Sequence, residues 1–154
     1  MQRIPRKILA IAGLMCVVFF FSGVMSMAGT PDDLTPRVPP ESLKKAQSLQ
    51  NPLTPSPDLI AKGKKIYEGQ AYCSACHGLE GAKGSSGKMI VPSETEPPTN
   101  FADAAWQATR TDGELFWILK HGSHGTDMAP YLPLYLTEDD AWTVVLYLRT
   151  FGGV

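Results

Sequence analysis

Three stretches of the chain place apolar residues at helical spacing, and no strand-like alternation precedes Cys73. In the first, residues 58–70, Leu59, Ile60, Gly63, Ile66 and Tyr67 form one stripe, with Lys62, Lys64 and Lys65 outside it. Ser56-Pro57-Asp58 supplies its cap and an N1 proline. Gly63 costs this helix about 1 kcal/mol against alanine, and a residue that small permits close approach of another helix. The second stretch, residues 111–121, opens on a capping box of Thr111 and Glu114. Leu115, Phe116, Ile118 and Leu119 form its apolar face, Lys120 suits its C-terminal dipole, and Gly122 ends it. The third, residues 138–150, has Thr137 as N-cap and Glu138, Asp139 and Asp140 at its positive end. Trp142, Val145, Leu146 and Leu148 give it one broad buried face, and Gly152-Gly153 stops it. Two shorter helical pieces are predicted: residues 41–50, with Ala46 and Leu43 or Leu49 turned to the domain, and residues 104–108, burying Trp106. The pattern is all-α.

The chain before residue 58 has a different character. Arg3, Arg6 and Lys7 precede an apolar run over residues 8–27, and Ser26-Met27-Ala28 fits a small-x-small cleavage site. The run is also long enough to span a bilayer, so residues 1–28 are expected as a signal peptide cleaved near Ala28 or as an N-terminal anchor using residues 8–28. Either places the remainder outside the cytoplasm, in the periplasm. Cys16 inside the run is read as a small apolar residue. Residues 29–57 hold seven prolines, expected as a stiff linker or a strap packed on the domain of residues 58–154. Of fourteen Lys/Arg, three lie in the basic N-terminal region, leaving eleven against fifteen Asp/Glu. That mildly acidic balance gives no footprint for nucleic acid.

Cysteine is rare, three residues in all, and two fall in Cys73-Ser74-Ala75-Cys76-His77. Cys-x-x-Cys-His is the attachment pattern for a c-type haem. Two thiols at this spacing can each form a thioether to a haem vinyl group, and the following imidazole reaches the iron from one face. A thioredoxin-type dithiol would follow a strand, a zinc site would need a second ligand pair, and a disulfide would leave His77 unexplained. One covalent haem c is therefore expected. The loop with Gly81, Gly84 and Gly87 lacks the Gly-Lys-Ser/Thr ending of a phosphate loop, and glycine also suits a chain wrapping a haem edge.

An iron held by His77 needs a second axial ligand or has an open site. Met128, His124, His121 and Met89 are the candidates. Met128 is best placed, on a Gly/Pro-bounded loop between two helices where a methionine has little packing reason to stand. His124 is its rival, His121 reads as a helix end, and Met89 lies close to the attachment site. Thioether ligation would raise the reduction potential relative to a second imidazole.

The glycine and Tyr67 of the first helix, Cys73-Ser74-Ala75-Cys76-His77-Gly78, Asp112-Gly113-Glu114-Leu115-Phe116-Trp117, Gly125-Thr126-Asp127-Met128 and the terminal helix with Trp142, Val145, Tyr147, Leu148 and Arg149 resemble class I c-type cytochromes, small bacterial mono-haem electron carriers. The resemblance covers residues 58–154. It implies an all-α cytochrome c-like fold of three or more helices around one haem, with first and last helices crossing at Gly63 near Tyr147. It implies His77 as proximal and Met128 as distal iron ligand, and a loop carbonyl near Pro97 or Pro98 bonded to His77. The chain departs from the pattern at Ala129, since the proline comes one place later at Pro130. The expected function is one-electron transfer between redox protein partners, not catalysis, for no Ser/His/Asp set or carboxylate pair calls for it. Two alternatives keep the haem: a membrane-tethered subunit of a larger respiratory or dehydrogenase complex, and a haem enzyme or ligand sensor with an open sixth site.

Overall fold

The structure, a computed structural model, describes residues 34–81 and 98–152. The predicted export segment, its cleavage site, most of the glycine-rich loop and Met89 lie outside them. Among the described residues the secondary structure is entirely helical: α1 Pro40–Ser48, α2 Pro57–Lys65, a π-helical turn Ile66–Gln70, α3 Ser74–His77, α4 Ala104–Thr109, α5 Asp112–His121 and α6 Glu138–Thr150. None of these helices is long and apolar enough to cross a membrane.

The caps stand where the sequence places them. Ser56 accepts from the Leu59 N–H at 3.3 Å, Thr111 and Glu114 close a reciprocal capping box, and Thr137 accepts from the Asp140 N–H at 3.1 Å. Each satisfies donors that a helix start leaves without intrahelical partners. The helix predicted over 58–70 is corrected in its last turn. There the Ala71 N–H bonds to the Ile66 carbonyl at 2.9 Å, five residues back, and the helix widens.

Helices α2 and α6 cross at Gly63. A Cβ on Gly63 would lie 2.5 Å from the Thr143 carbonyl oxygen and 2.8 Å from Tyr147 Cβ. Beside the crossing, Tyr67 meets Tyr147 edge-on at 5.4 Å, and Phe151 lies 5.6 Å from Tyr67 and 4.9 Å from Tyr147. Helix α6 was expected to bury one broad face. It buries every residue from Ala141 to Leu148, because α2, α5 and residue 51 surround it. Trp142 stacks on Phe116 of α5 at 4.1 Å, 6° from parallel.

Arg149 ties the end of α6 to the start of α5. Its Nε donates to Asp112 at 2.7 Å, Nη1 to the Gln107 carbonyl and side-chain oxygens at 3.1 and 2.9 Å, and Nη2 to the Arg110 carbonyl at 2.7 Å. Gln107, itself buried, donates to the Phe101 and Leu148 carbonyls at 2.8 and 2.9 Å. One planar guanidinium thus satisfies four acceptors in the α4–α5 turn, which an ammonium cannot do in that geometry.

Residues 34–53 run along the domain. Val38 and Ala46 are buried, and α1 lies so close to α5 that a Cβ on Gly113 would collide with the Ala46 carbonyl oxygen. Arg110 Nη2 donates to the Leu34 and Thr35 carbonyls at 2.8 and 2.9 Å, and Asn51 Nδ2 to the Trp142 carbonyl at 3.1 Å.

Two stability measurements follow from these contacts. Gly63→Ala gains helix propensity but forces apart backbone and Tyr147, so urea unfolding should show a loss of about 1–3 kcal/mol; a stabilised variant would mean the crossing is looser than described. Arg149→Lys keeps the charge but not the fork, and should lose about 1–3 kcal/mol in the same assay.

Candidate functional site

The π-helical turn delivers the chain to the cysteine pair. Tyr72, just before it, has φ of 51°, a left-handed conformation uncommon outside glycine. Cys73 then starts α3, with the His77 N–H bonded to the Cys73 carbonyl at 3.0 Å. Gly78 ends the turn at φ 75°, and its carbonyl accepts from the Tyr67 hydroxyl at 2.7 Å. Burial raises the Tyr67 hydroxyl pKa far above its ordinary value, so this phenol stays a donor. The π-helical turn is thereby tied to the residue following His77.

Cys73 is buried and Cys76 exposed, and they stand as separate thiols. Burial, with a smaller contribution from the neighbouring Cys76, pushes the Cys73 thiol up to about 12. Among the described residues no three His, Cys, Asp or Glu side chains gather around a point that could hold an ion.

The His77 ring is buried and fixed on two sides. Phe101 stacks on it at 4.3 Å and 19°. Nδ1 lies 3.1 Å from the Thr99 carbonyl oxygen. A carbonyl only accepts, so Nδ1 carries the proton and Nε2 is the nitrogen that could serve as a ligand. The loop carbonyl expected near Pro97 or Pro98 is that of Thr99, directly after Pro98. Phe101 is held in turn by its N–H to the Gly81 carbonyl at 2.7 Å.

Met128 sits on a loop fastened at both ends. Its carbonyl accepts from the Ser123 N–H at 2.9 Å, and its N–H donates to Thr126 Oγ1 at 3.2 Å. Thr126 Oγ1 donates to the Ser123 carbonyl at 2.8 Å. Gly122, at φ 78°, lets the Met128 carbonyl and Pro130 come close, where a Cβ would lie 2.8 Å from that carbonyl oxygen. Past Ala129 and Pro130, the Tyr131 N–H returns to the Leu119 carbonyl at 2.9 Å.

Cys73, Cys76, His77 and Met128 all line one cavity of about 430 Å³. His121 and His124 are exposed and do not line it; His121 packs against Trp117 at 4.5 Å between ring centres. The apolar wall includes Phe101, Trp106, Leu115, Leu119, Val144 and Leu148. Burial pushes the Tyr131 hydroxyl in the same wall up to about 12. Arg37, Arg110 and Glu114 also line the cavity, and Glu114 Oε1 is buried without a hydrogen-bond partner. Sequence reasoning read Glu114 only as a helix cap and passed over both arginines. The capping signal accounts for Oε2 alone, and nothing local announces the arginines.

This donor set fits a haem. The walls are apolar, two thiols stand at the required spacing, an imidazole presents Nε2 and a thioether shares the space. Glu114 Oε1 is a buried acceptor in the same wall, and leaving such a group without a donor costs about 1–3 kcal/mol.

Comparison with known proteins bears on the same residues. No curated protein matches the chain. Among solved structures, it is similar to a chain of the Kuenenia stuttgartiensis reducing HAO-like protein complex Kustc0457/Kustc0458, with 27% identity and a TM-score of 0.56 over 68% of this chain. This chain spans 49% of that one, about half its length. It is also similar to the KustC0563 c-type cytochrome, at 28% identity and a TM-score of 0.45, over 58% of this chain and 95% of that one. The family model for Cytochrome c matches residues 60–152, which include the attachment pentapeptide, the cavity-lining α5 and α6, and the Met128 loop. The chain therefore belongs to the cytochrome c family and carries covalently bound haem c.

Proposed function

We propose that this protein is a one-electron carrier whose single haem is axially held by His77 and Met128 and which works on the periplasmic side of a membrane. The observation that carries the reading is the shared cavity: both thiols, the oriented imidazole and the fastened thioether line one apolar space.

Each residue has a separate task. The thiols of Cys73 and Cys76 would hold the haem through thioether bonds to its two vinyl-derived positions. His77 offers Nε2 because Thr99 occupies its Nδ1 proton. Met128 would offer its sulfur from a loop fastened by the hydrogen bonds of its own N–H and carbonyl. The haem iron supplies the redox chemistry, taking up and releasing one electron. Phe101, Leu115, Leu119 and Leu148 keep water from the buried face, which helps set the potential. With His77 and Met128 both holding the iron, no ligand position would be left for a substrate, and electrons would pass to redox partners where the exposed Cys76 and Tyr72 bring the site to the surface.

Export rests on the sequence of residues 1–28 and on the chemistry of attachment, which belongs to the bacterial periplasmic side. A second reading has its own support. The similar chain at 27% identity is part of a complex, so this protein can be read as the haem-bearing subunit of a larger redox assembly. Purification from membranes under mild detergent separates the two: co-purifying subunits support the assembly, and a soluble monomer supports the free carrier. Intact mass reports haem count and signal cleavage together.

The ligand assignment is tested by Met128→Ala. The oxidised wild-type protein should show the weak near-infrared charge-transfer band of methionine ligation. The variant should lose that band, bind carbon monoxide when reduced, and fall in potential by on the order of 0.1 V, part of the roughly 0.8 V that axial ligands span. An unchanged spectrum would remove Met128 from the iron.

A further inference from the structure

Residues 99–103 carry both holds on the His77 ring, the Thr99 carbonyl and the Phe101 stack, yet they belong to no helix. The segment is fastened at Phe101. Its N–H donates to the Gly81 carbonyl at 2.7 Å, and its carbonyl accepts from Gln107 Nε2 at 2.8 Å. The first bond runs to the chain just after the attachment pentapeptide. The second runs into the interior, to a side chain that does not line the cavity.

Gln107 stands on α4 and is 6% exposed. Both ends of its amide are engaged. Nε2 also donates to the Leu148 carbonyl at 2.9 Å, and Oε1 accepts from Arg149 Nη1 at 2.9 Å. These partners decide which way the amide points. Carbonyls only accept and a guanidinium only donates, so a flipped amide would set like against like at all three contacts. The carbon stem is confined as well. A Cβ on Gly152 would lie 2.8 Å from Gln107 Cγ, so the chain passes the stem with only a hydrogen between them. The ring that this amide steadies is itself enclosed: besides His77, Phe101 meets Trp106 at 5.5 Å and Phe151 at 6.4 Å. A buried polar group satisfied in this way rigidifies what it joins.

We propose that Gln107 is a positioning residue for the axial imidazole. By gripping the Phe101 and Leu148 carbonyls together, it locks the Phe101 ring and the Thr99 carbonyl onto His77 and ties the tilt of that ring to the end of α6. Gln107 acts only through Phe101. The proposal rests on the reading of His77 as an iron ligand. The amide itself is what the position requires. Methionine fills a similar volume but leaves both carbonyls without this donor, and glutamate would turn an acceptor toward them.

The test is NMR of the full-length holoprotein and its Gln107→Met variant. Thr137→Ala, which removes a cap at the opposite end of α6, controls for lost stability alone. In the ferric state the hyperfine-shifted ring-methyl signals of the haem follow the plane of the axial imidazole. Gln107→Met should redistribute those signals and speed solvent exchange of the His77 Nδ1 proton about tenfold or more, because two hydrogen bonds no longer hold the segment. Thr137→Ala should keep the wild-type methyl pattern. An unmoved pattern in Gln107→Met, or the same change in both variants, overturns the inference. Should Gln107→Met fail to fold, the wild type decides. Its Gln107 amide protons should be at least as protected from exchange as the His77 Nδ1 proton. A Gln107 amide that opens about tenfold more often while His77 stays protected overturns the inference too. Isotope-labelled histidine in the wild type tests ligation separately. A His77 imidazole without hyperfine shift sinks the ligand reading, whereas a shifted His77 with an unmoved methyl pattern in Gln107→Met sinks this inference alone.

Discussion

Close backbone approach at Gly63 is the constraint on which the remaining geometry depends. With hydrogen in place of a side chain there, the Thr143 carbonyl and the Tyr147 side chain come against α2. That contact fixes where α6 runs. Helix α6 then supplies Val144 and Leu148 to the cavity wall and Trp142 to the stack on Phe116. It also sets where α2 ends, and so where the widened turn releases the chain into Cys73. The Tyr67–Tyr147–Phe151 cluster fills the space beside the crossing, and the Tyr67 hydroxyl carries its rigidity on to Gly78. Aromatic pairs of this kind add about 0.5–1.5 kcal/mol beyond the area they bury.

A second layer of organisation lies at the turn between α4 and α5. Its backbone carbonyls would be left without donors as the chain reverses there. Arg149 from the end of α6 satisfies those of Gln107 and Arg110, and Gln107 satisfies Phe101 and Leu148. Arg110 faces the other way and grips the strap. The turn is thus a hub built from side chains rather than from regular structure. It joins the strap, α4, α5, α6 and the Phe101 segment that stacks on His77.

What could be read from the sequence is what short-range physics dictates. Ser56, Thr111 and Thr137 cap helices because a hydroxyl three residues from an orphan N–H satisfies it in any context, and the apolar spacing of α2, α5 and α6 is equally local. Cys73, Cys76 and His77 are legible because covalent chemistry demands their spacing. The π-helical turn was not legible, since a five-residue closure at Ala71 carries no distinctive signal. Nor was the seating of residues 34–53, which depends on Arg110, about 75 positions later in the chain. The loop carbonyl bonded to His77 was legible to within its neighbourhood, beside Pro98, but not to the residue, because a proline pair restricts its own dihedrals without deciding which following carbonyl turns toward His77. Glu114 shows the partial case, where one carboxylate oxygen follows the capping rule and the other belongs to the cavity.

The two-sided hold on the His77 ring carries a further consequence. An imidazole that takes its final tilt from Phe101 and its tautomer from Thr99 has almost no torsional freedom left to lose. When charge at the metal changes by one unit, nearby dipoles ordinarily turn to follow it, and that turning is the activation cost of transfer. Under the ligation proposed for His77, the ring facing the iron would already be held by Thr99 and Phe101 before any charge change. The site would then resemble a solvent whose dipoles are already set, with Thr99 and Phe101 as the smallest part of it.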